Sequence, residues 1–189
     1  MSQPAVAFPD IEASLKRVAA ALREADVDFV LGGSIAAWAR GAPESCNDID
    51  LALRPADVEP ALAALDAAGL RTERPPEGWL VKAHDGPVLI DLIFDPNGID
   101  DLEAVFVRAE EQRVAATPIK VMAIEDVLVA KLCSFDEHYL DFTRVLAIAR
   151  ALREQIDWDE VRRRTAPSPY AAAFLYLLEA LEVVSAPQA

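Results

Sequence analysis

Residues 48–50 read Asp-Ile-Asp, and Leu51-Ala52-Leu53 continue an apolar strand pattern. In a strand, residues two apart project from one face about 6.6 Å apart along the chain. Asp48 and Asp50 therefore point together while Ile49, Leu51 and Leu53 enter the core. Two carboxylates about 4 Å apart repel by roughly 4 kcal/mol at an effective dielectric of about 20. That repulsion calls for a cation, and hard divalent magnesium, held by one or two carboxylates plus substrate phosphates, suits the pair. Separated from Asp48 by thirteen residues, the chain reads Gly32-Gly33-Ser34, following the short apolar run Val27 to Leu31 and opening a helix that stops at Gly41. Backbone amides at such a turn face outward and favour anions. A triphosphate would lie between the Gly33-Ser34 amides and metal ions on Asp48 and Asp50, so the pattern predicts metal-dependent nucleotidyl transfer. Either half alone is ordinary, since many strand-to-helix turns read Gly-Gly-Ser. It is the two in this order, on a strand–turn–helix–loop–strand, that carry the expectation.

A third acid is expected for a two-metal site. Val88 to Phe94 is an apolar strand with one charge, Asp91, in its middle, where an unpaired carboxylate is costly. Asp85-Gly86 signals a hairpin between residues 78–84 and 87–94, which brings Asp91 into the sheet of the Asp-x-Asp strand. The plainer account of Asp91 is a buried acid paired with an arginine such as Arg40 or Arg54.

These residues resemble the motifs of the polymerase-β-type nucleotidyltransferase superfamily. Gly-Gly-Ser-x-Ala-Ala with Arg40-Gly41, and Ser45-Cys46-Asn47-Asp48-Ile49-Asp50-Leu51, are similar to the AbiEii and MenT-type nucleotidyltransferase toxins of bacterial toxin–antitoxin pairs. Glu125 to Leu132, followed by Tyr139-Leu140-Asp141-Phe142, looks like that group's lysine helix and downstream aspartate, except that Leu140 stands where the group usually has a basic residue. The resemblance covers residues 25–150. It implies that Asp48 and Asp50 hold magnesium, two ions in all, and that Asp91 completes the metal site or activates the attacking hydroxyl. It further implies that Gly32, Gly33 and Ser34 bind the nucleotide, that Lys131 contacts its phosphates, and that Asp141 belongs to the catalytic set. The plainer reading of Lys131 is a solvated helix lysine. By the same resemblance the substrates are an NTP and the 3′ end of tRNA, and an antitoxin protein is a possible partner.

The expected fold class is α/β (α+β): a mixed-sheet nucleotidyltransferase core over residues 1–120, flanked by helices, with a C-terminal helical portion over 121–189. A helix from Ile11 to Ala25, capped by Asp10, repeats Ile11, Leu15, Val18, Ala19 and Leu22 at helical spacing. Pro55 and Asp57 open another that closes at Gly69. Arg113 to Pro118 is expected as the last strand. Helices then follow over 124–134, 138–153, 157–165 and 168–184.

A chain of 189 residues with 53% apolar content can bury a full core. No apolar run reaches the roughly 18 residues of a membrane helix, and residues 1–9 lack signal-peptide features, so a cytoplasmic protein without membrane association is expected. Cys46, Cys133, His84 and His138 have no zinc-ligand or redox spacing. Tyr170, Phe174, Tyr176, Leu177, Leu178 and Val184 read as core, or alternatively as a docking face for a second copy or an antitoxin. Arg162-Arg163-Arg164, with Lys131 and Arg144, could form a basic patch for polyphosphate or RNA, although a basic run at a helix end is explained by the helix dipole.

The formal net charge of −14 opposes a nucleic-acid substrate, which favours a positive field. It suits a small cationic acceptor, and the Asp-x-Asp context also resembles aminoglycoside nucleotidyltransferases. A third expectation, from a different class, is a non-catalytic or antitoxin-like regulatory module of the same fold.

Overall fold

The computed structural model describes residues 6–45 and 48–185; Cys46 and Asn47, part of the toxin-like text, lie outside them. Helix α1 (Phe8–Glu24) buries the stripe Ile11, Leu15, Val18, Ala19 and Leu22. Its first turn begins before the expected cap, and the Asp10 carboxylate accepts from the Ala7 N–H at 3.0 Å.

Seven strands form one mixed sheet in the order β3-β4-β5-β2-β1-β7-β6. They are β1 (Phe29–Leu31), β2 (Asp48–Leu53), β3 (Arg71–Glu73), β4 (Leu80–Asp85), β5 (Val88–Ile93), β6 (Glu110–Val114) and β7 (Thr117–Val121). The chain is therefore of the expected α/β class. The short helix α2 (Gly33–Ala39) follows β1, and α3 (Val58–Ala67) follows β2. Ile49, Leu51, Leu53, Ile90 and Leu92 are fully buried on the face of β2 and β5 that meets α1. Alternation puts the acids on the other face, under α5 (Ile124–Cys133).

β5 runs parallel to β2 with Asp91 opposite Asp50, and antiparallel to β4 with Lys82 opposite Asp91. A single row of residues thus crosses three strands: Lys82, Asp91, Asp50.

Two expectations are corrected. Arg113–Pro118 is not one strand but the tip of the β6–β7 hairpin, turning at Ala115 and Ala116 with φ of 49° and 64°. Those left-handed conformations suit the sheet twist but ordinarily fall to Gly or Asn, so alanines hid the turn. The helix expected from residue 138 begins later, as α6 (Thr143–Leu152). The Asp136 carboxylate accepts from the N–H groups of His138 and Tyr139 at 2.7 and 2.8 Å, and such local bonds compete with helix. Strand β3 and helix α4 (Leu102–Arg108) are additional short elements.

Helices α7 (Trp158–Thr165) and α8 (Pro169–Ala180) pack on α5. Phe174 and Leu178 are fully buried, whereas Tyr176 is 73% exposed, so α8 turns its stripe inward and leaves one aromatic outside. No helix among the described residues is long and apolar enough to cross a membrane.

Candidate active site

One side-chain oxygen from each of Asp48, Asp50 and Asp91 lies within 4.8 Å of the other two. The strands dictate this: Asp48 and Asp50 share a face, and the parallel register adds Asp91 beside Asp50. The Gly32 N–H donates to the Asp50 carbonyl at 2.8 Å, tying the glycine turn to the acid strand. Gly33 has φ of +57°, and a Cβ there would stand 1.6 Å from Asp50 Oδ2. Only glycine serves here, for the backbone conformation and for the approach of the carboxylate.

Charge balance at the site is incomplete. Lys82 Nζ donates to Asp91 Oδ1 at 2.9 Å, both groups largely shielded. Asp91 thus has a cationic partner, but not Arg40 or Arg54. Arg40 donates to the carbonyls of Met122 and Val121 at 2.9 and 3.2 Å, and Arg54 binds Asp28 and Glu103. Taking Asp85-Gly86 as the hairpin turn shifts the register by one residue on each strand; the turn residues are Gly86 and Pro87, which puts Lys82 opposite Asp91. Hairpin register was the signal that could have found Lys82.

Among the described residues, no side-chain hydrogen bond reaches the carboxylates of Asp48 or Asp50. Burial, then the neighbouring charge of Asp91, pushes the Asp48 carboxyl up despite Lys131 and Arg144. Burial and the Asp48 charge push Asp50 up to about 7, with Lys131 opposing. Carboxylates held together at this cost, with both oxygens free, are a donor set that fits a hard divalent cation.

The residues around them form a polar cavity of about 170 Å³ lined by Ser34, Asp48, Asp50, Lys131, Asp141 and Arg144, among others. Lys131 comes from α5 and Arg144 from α6. Gly32 and Gly33 line an adjoining cavity that shares Asp50 and Lys131, and Asp91 lines neither cavity but stands beside Asp48 and Asp50. Asp141 is exposed, and its carboxylate is held below the usual range by hydrogen bonds with Thr143, whose N–H it accepts at 2.9 Å.

The basic patch divides. Lys131 and Arg144 face the site, whereas Arg162 is bound to Glu179 at 2.8 Å and Arg164 to Asp126 at 2.7 Å. Cys133 packs against Gly98, and His84 meets Glu73 at 3.2 Å; neither stands among the three acids.

The mixed sheet and its triad of acids, approached by a Gly-Gly-Ser turn, are the arrangement expected of a nucleotidyltransferase. Residues 10–184 match a family described as an uncharacterised nucleotidyltransferase, and the chain belongs to that family. It is an enzyme of nucleotidyl transfer. No protein of curated function matches it in sequence. Its fold is similar to the solution structure of the antibiotic-resistance factor ANT(2'')-Ia, with a TM-score of 0.63 at 17% identity, covering 93% of this chain and 97% of that one. The crystal structure of ANT(2'')-Ia with adenylyl-2''-tobramycin gives 0.57 at 15% identity, over 88% of this chain and 97% of that one. The lincomycin-bound lincosamide adenylyltransferase LnuA gives 0.52 at 16% identity, over 72% and 93%.

Proposed function

We propose that the protein transfers a nucleoside monophosphate from an NTP to a hydroxyl of a small cationic acceptor, releasing pyrophosphate. The observation that carries the chemistry is the cluster of Asp48, Asp50 and Asp91 within 4.8 Å, two of whose members form no ion pair among the described residues. Asp48 and Asp50 would hold magnesium, with Asp91 beside them. Magnesium bound there supplies charge neutralisation at the reacting phosphate and steadies the attacking and leaving oxygens.

The chain's own groups do the rest. Lys131 and Arg144 bind the leaving phosphates at the cavity wall, beside Ser34. Lys82 engages one oxygen of Asp91 and leaves the other for the acceptor hydroxyl. As the acceptor oxygen bonds to the α-phosphorus, its proton passes to Asp91. The bond between that phosphorus and the bridging oxygen breaks, and pyrophosphate departs with the electron pair.

A cationic acceptor is supported by the formal charge of −14 and by the engagement of Arg162 and Arg164 in ion pairs inside the helical portion. Two of the similar structures hold adenylyl-2''-tobramycin and lincomycin, which agrees with a small acceptor. The second reading, transfer to the 3′ end of tRNA by a toxin-like enzyme with an antitoxin partner, is supported by the text around Lys131 and Asp141 and by the two cations left facing the site.

The test is transfer of label from each α-labelled NTP, with magnesium, to an aminoglycoside panel and to total tRNA, using Asp50→Asn as control. Label on an aminoglycoside that disappears in the variant supports the first reading. Label on tRNA alone establishes the second, and no transfer to either despite NTP binding points to a regulatory module.

A further inference from the structure

A second cavity of about 170 Å³ adjoins the acids and shares Asp50 and Lys131 with the first. We propose that it receives the base of the NTP, with Trp79 as the stacking surface and Asn97 as the amide that reads the base edge. This rests on the nucleotidyl-transfer reading above and specifies where the nucleotide lies.

The sheet register supplies the argument. Ala52 and Ile93 line the cavity and stand two residues beyond Asp50 and Asp91 on β2 and β5, on the same face. The acids and an apolar floor are thus consecutive steps of the same two strands, about 6.6 Å apart. A ligand with a charged end and a flat apolar end, joined by something the size of a ribose, fits that sequence of surfaces. Trp79 immediately precedes β4, and its carbonyl accepts from the N–H groups of Phe94 and Asp95 at 3.1 and 3.3 Å. The ring is half-buried and fixed at the end of the floor. Met122 and Ala130 close the other side.

Size and polarity agree. Whole drug-sized ligands occupy pockets of about 300–1,000 Å³, so this cavity holds one planar ring system rather than a complete acceptor. Among the described residues that line it Asp50 is the only carboxylate, and that group belongs to the acid cluster; a polycationic acceptor would find no counter-charge from them farther in. A neutral base finds an indole face, an apolar floor and, in Asn97, one donor and one acceptor. Stacking on an aromatic side chain tolerates every base, so selectivity among bases falls to Asn97.

The experiment is intrinsic tryptophan fluorescence during titration with each NTP and, separately, with inorganic tripolyphosphate, in the presence of magnesium. Trp38 packs edge-on against Phe8 and Trp158 donates to the Arg153 carbonyl, so quenching by a stacked base belongs to Trp79. NTP should quench and tripolyphosphate should bind without quenching. Trp79→Ala should weaken NTP about tenfold and leave tripolyphosphate unchanged, as read by calorimetry. Trp79→Phe should restore NTP affinity without the quench. Asn97→Ala, on an exposed loop, should flatten the preference among the four NTPs.

Unchanged NTP affinity in Trp79→Ala, or equal losses for NTP and tripolyphosphate, overturns the base pocket while leaving nucleotidyl transfer standing. An effect confined to the acceptor KM reassigns the cavity to the acceptor. Failure of the wild type to bind either NTP or tripolyphosphate removes the transfer reading and the base pocket together.

Discussion

Asp50 and Asp126 are both shielded acids on elements that face each other, α5 over β2, yet their surroundings are opposite. Asp126 is fully buried and receives Arg108 at 2.6 Å and Arg164 at 2.7 Å. Asp50 is less buried, stands beside two further acids, and has Lys131 and Lys82 near it without an ion pair to either among the described residues. Taking a charge out of water costs several kcal/mol unless it is paired and hydrogen-bonded. At Asp126 the fold meets that requirement internally. At Asp50 it does not, and this is how the candidate active site differs from a structural ion pair built of the same residue type.

The comparison is broken most severely at Asp50. Asp50→Asn should lower transfer by on the order of 10³-fold, measured as kcat with saturating NTP. Stability should move the other way. With Asp50 pushed up to about 7 in the metal-free protein, against about 3.9 in an unfolded chain, the folded state holds its proton more tightly. The cost of ionising it is absent below about pH 4, grows as pH rises, and is complete above about pH 7, on the order of 4 kcal/mol. Melting in EDTA should therefore fall between pH 4 and 8 by more in wild type than in Asp50→Asn, and magnesium should raise the wild-type Tm at pH 8 but not the variant's. Equal Tm values in EDTA at pH 8 would show that Asp50 carries no stored repulsion.

Asp126→Asn attacks the paired acid. Removing one partner of a buried ion pair costs about 3–5 kcal/mol, here by leaving Arg108 without its counter-charge and Arg164 with Glu160 alone. Urea unfolding should show that loss, while kcat per folded molecule stays near wild type. A fall in kcat larger than the fall in folded fraction would place Asp126 in the chemistry and erase the contrast.

Gly33→Ala tests how the unpaired acid is positioned. A left-handed alanine costs about 1–2 kcal/mol, and the Cβ would displace the Asp50 carboxylate it meets at 1.6 Å. The expected result is a modest loss of stability with a much larger loss of magnesium affinity, read by calorimetry. Proportionate losses would make Gly33 a turn residue only.

How much of this was visible in the sequence depends on whether local chemistry or distant packing set the outcome. The three acids and the glycine turn were legible because period-two strands and a two-strand register fix where such side chains point. Lys82 was missed because the hairpin turn lies one residue later than Asp85-Gly86, which moves its partner by two residues from Leu89 to Asp91, and the β6–β7 turn because alanines occupy left-handed positions that usually announce themselves as Gly or Asn. The Arg162–Arg164 run was ambiguous for another reason: a cation's partner, Asp126 or Glu179, is chosen by how α5, α7 and α8 pack, and no local pattern encodes that. Trp79 likewise acquires meaning only when the end of β4 meets the floor of β2 and β5.

The smallest effect isolates burial from pairing. Asp28 is paired even more generously than Asp50 is not: Lys120 lies at 2.9 Å and Arg54 at 3.2 Å, but Asp28 and Lys120 remain 41% and 43% exposed. Burial nudges its carboxyl upward, and the hydrogen bonds from Lys120 and Arg54 more than reverse this, holding it below the usual value. Its contribution is therefore present above about pH 4 and lost as pH falls, opposite in sign to that of Asp50. Exposed pairs contribute about 0.2–1 kcal/mol, so Lys120→Met should cost about 0.5 kcal/mol at pH 7, weaken with added salt, and vanish near pH 3. A loss several times larger would mean that pairing alone, without burial, stabilises acids in this fold, and the stability of Asp126 would then owe nothing to its seclusion.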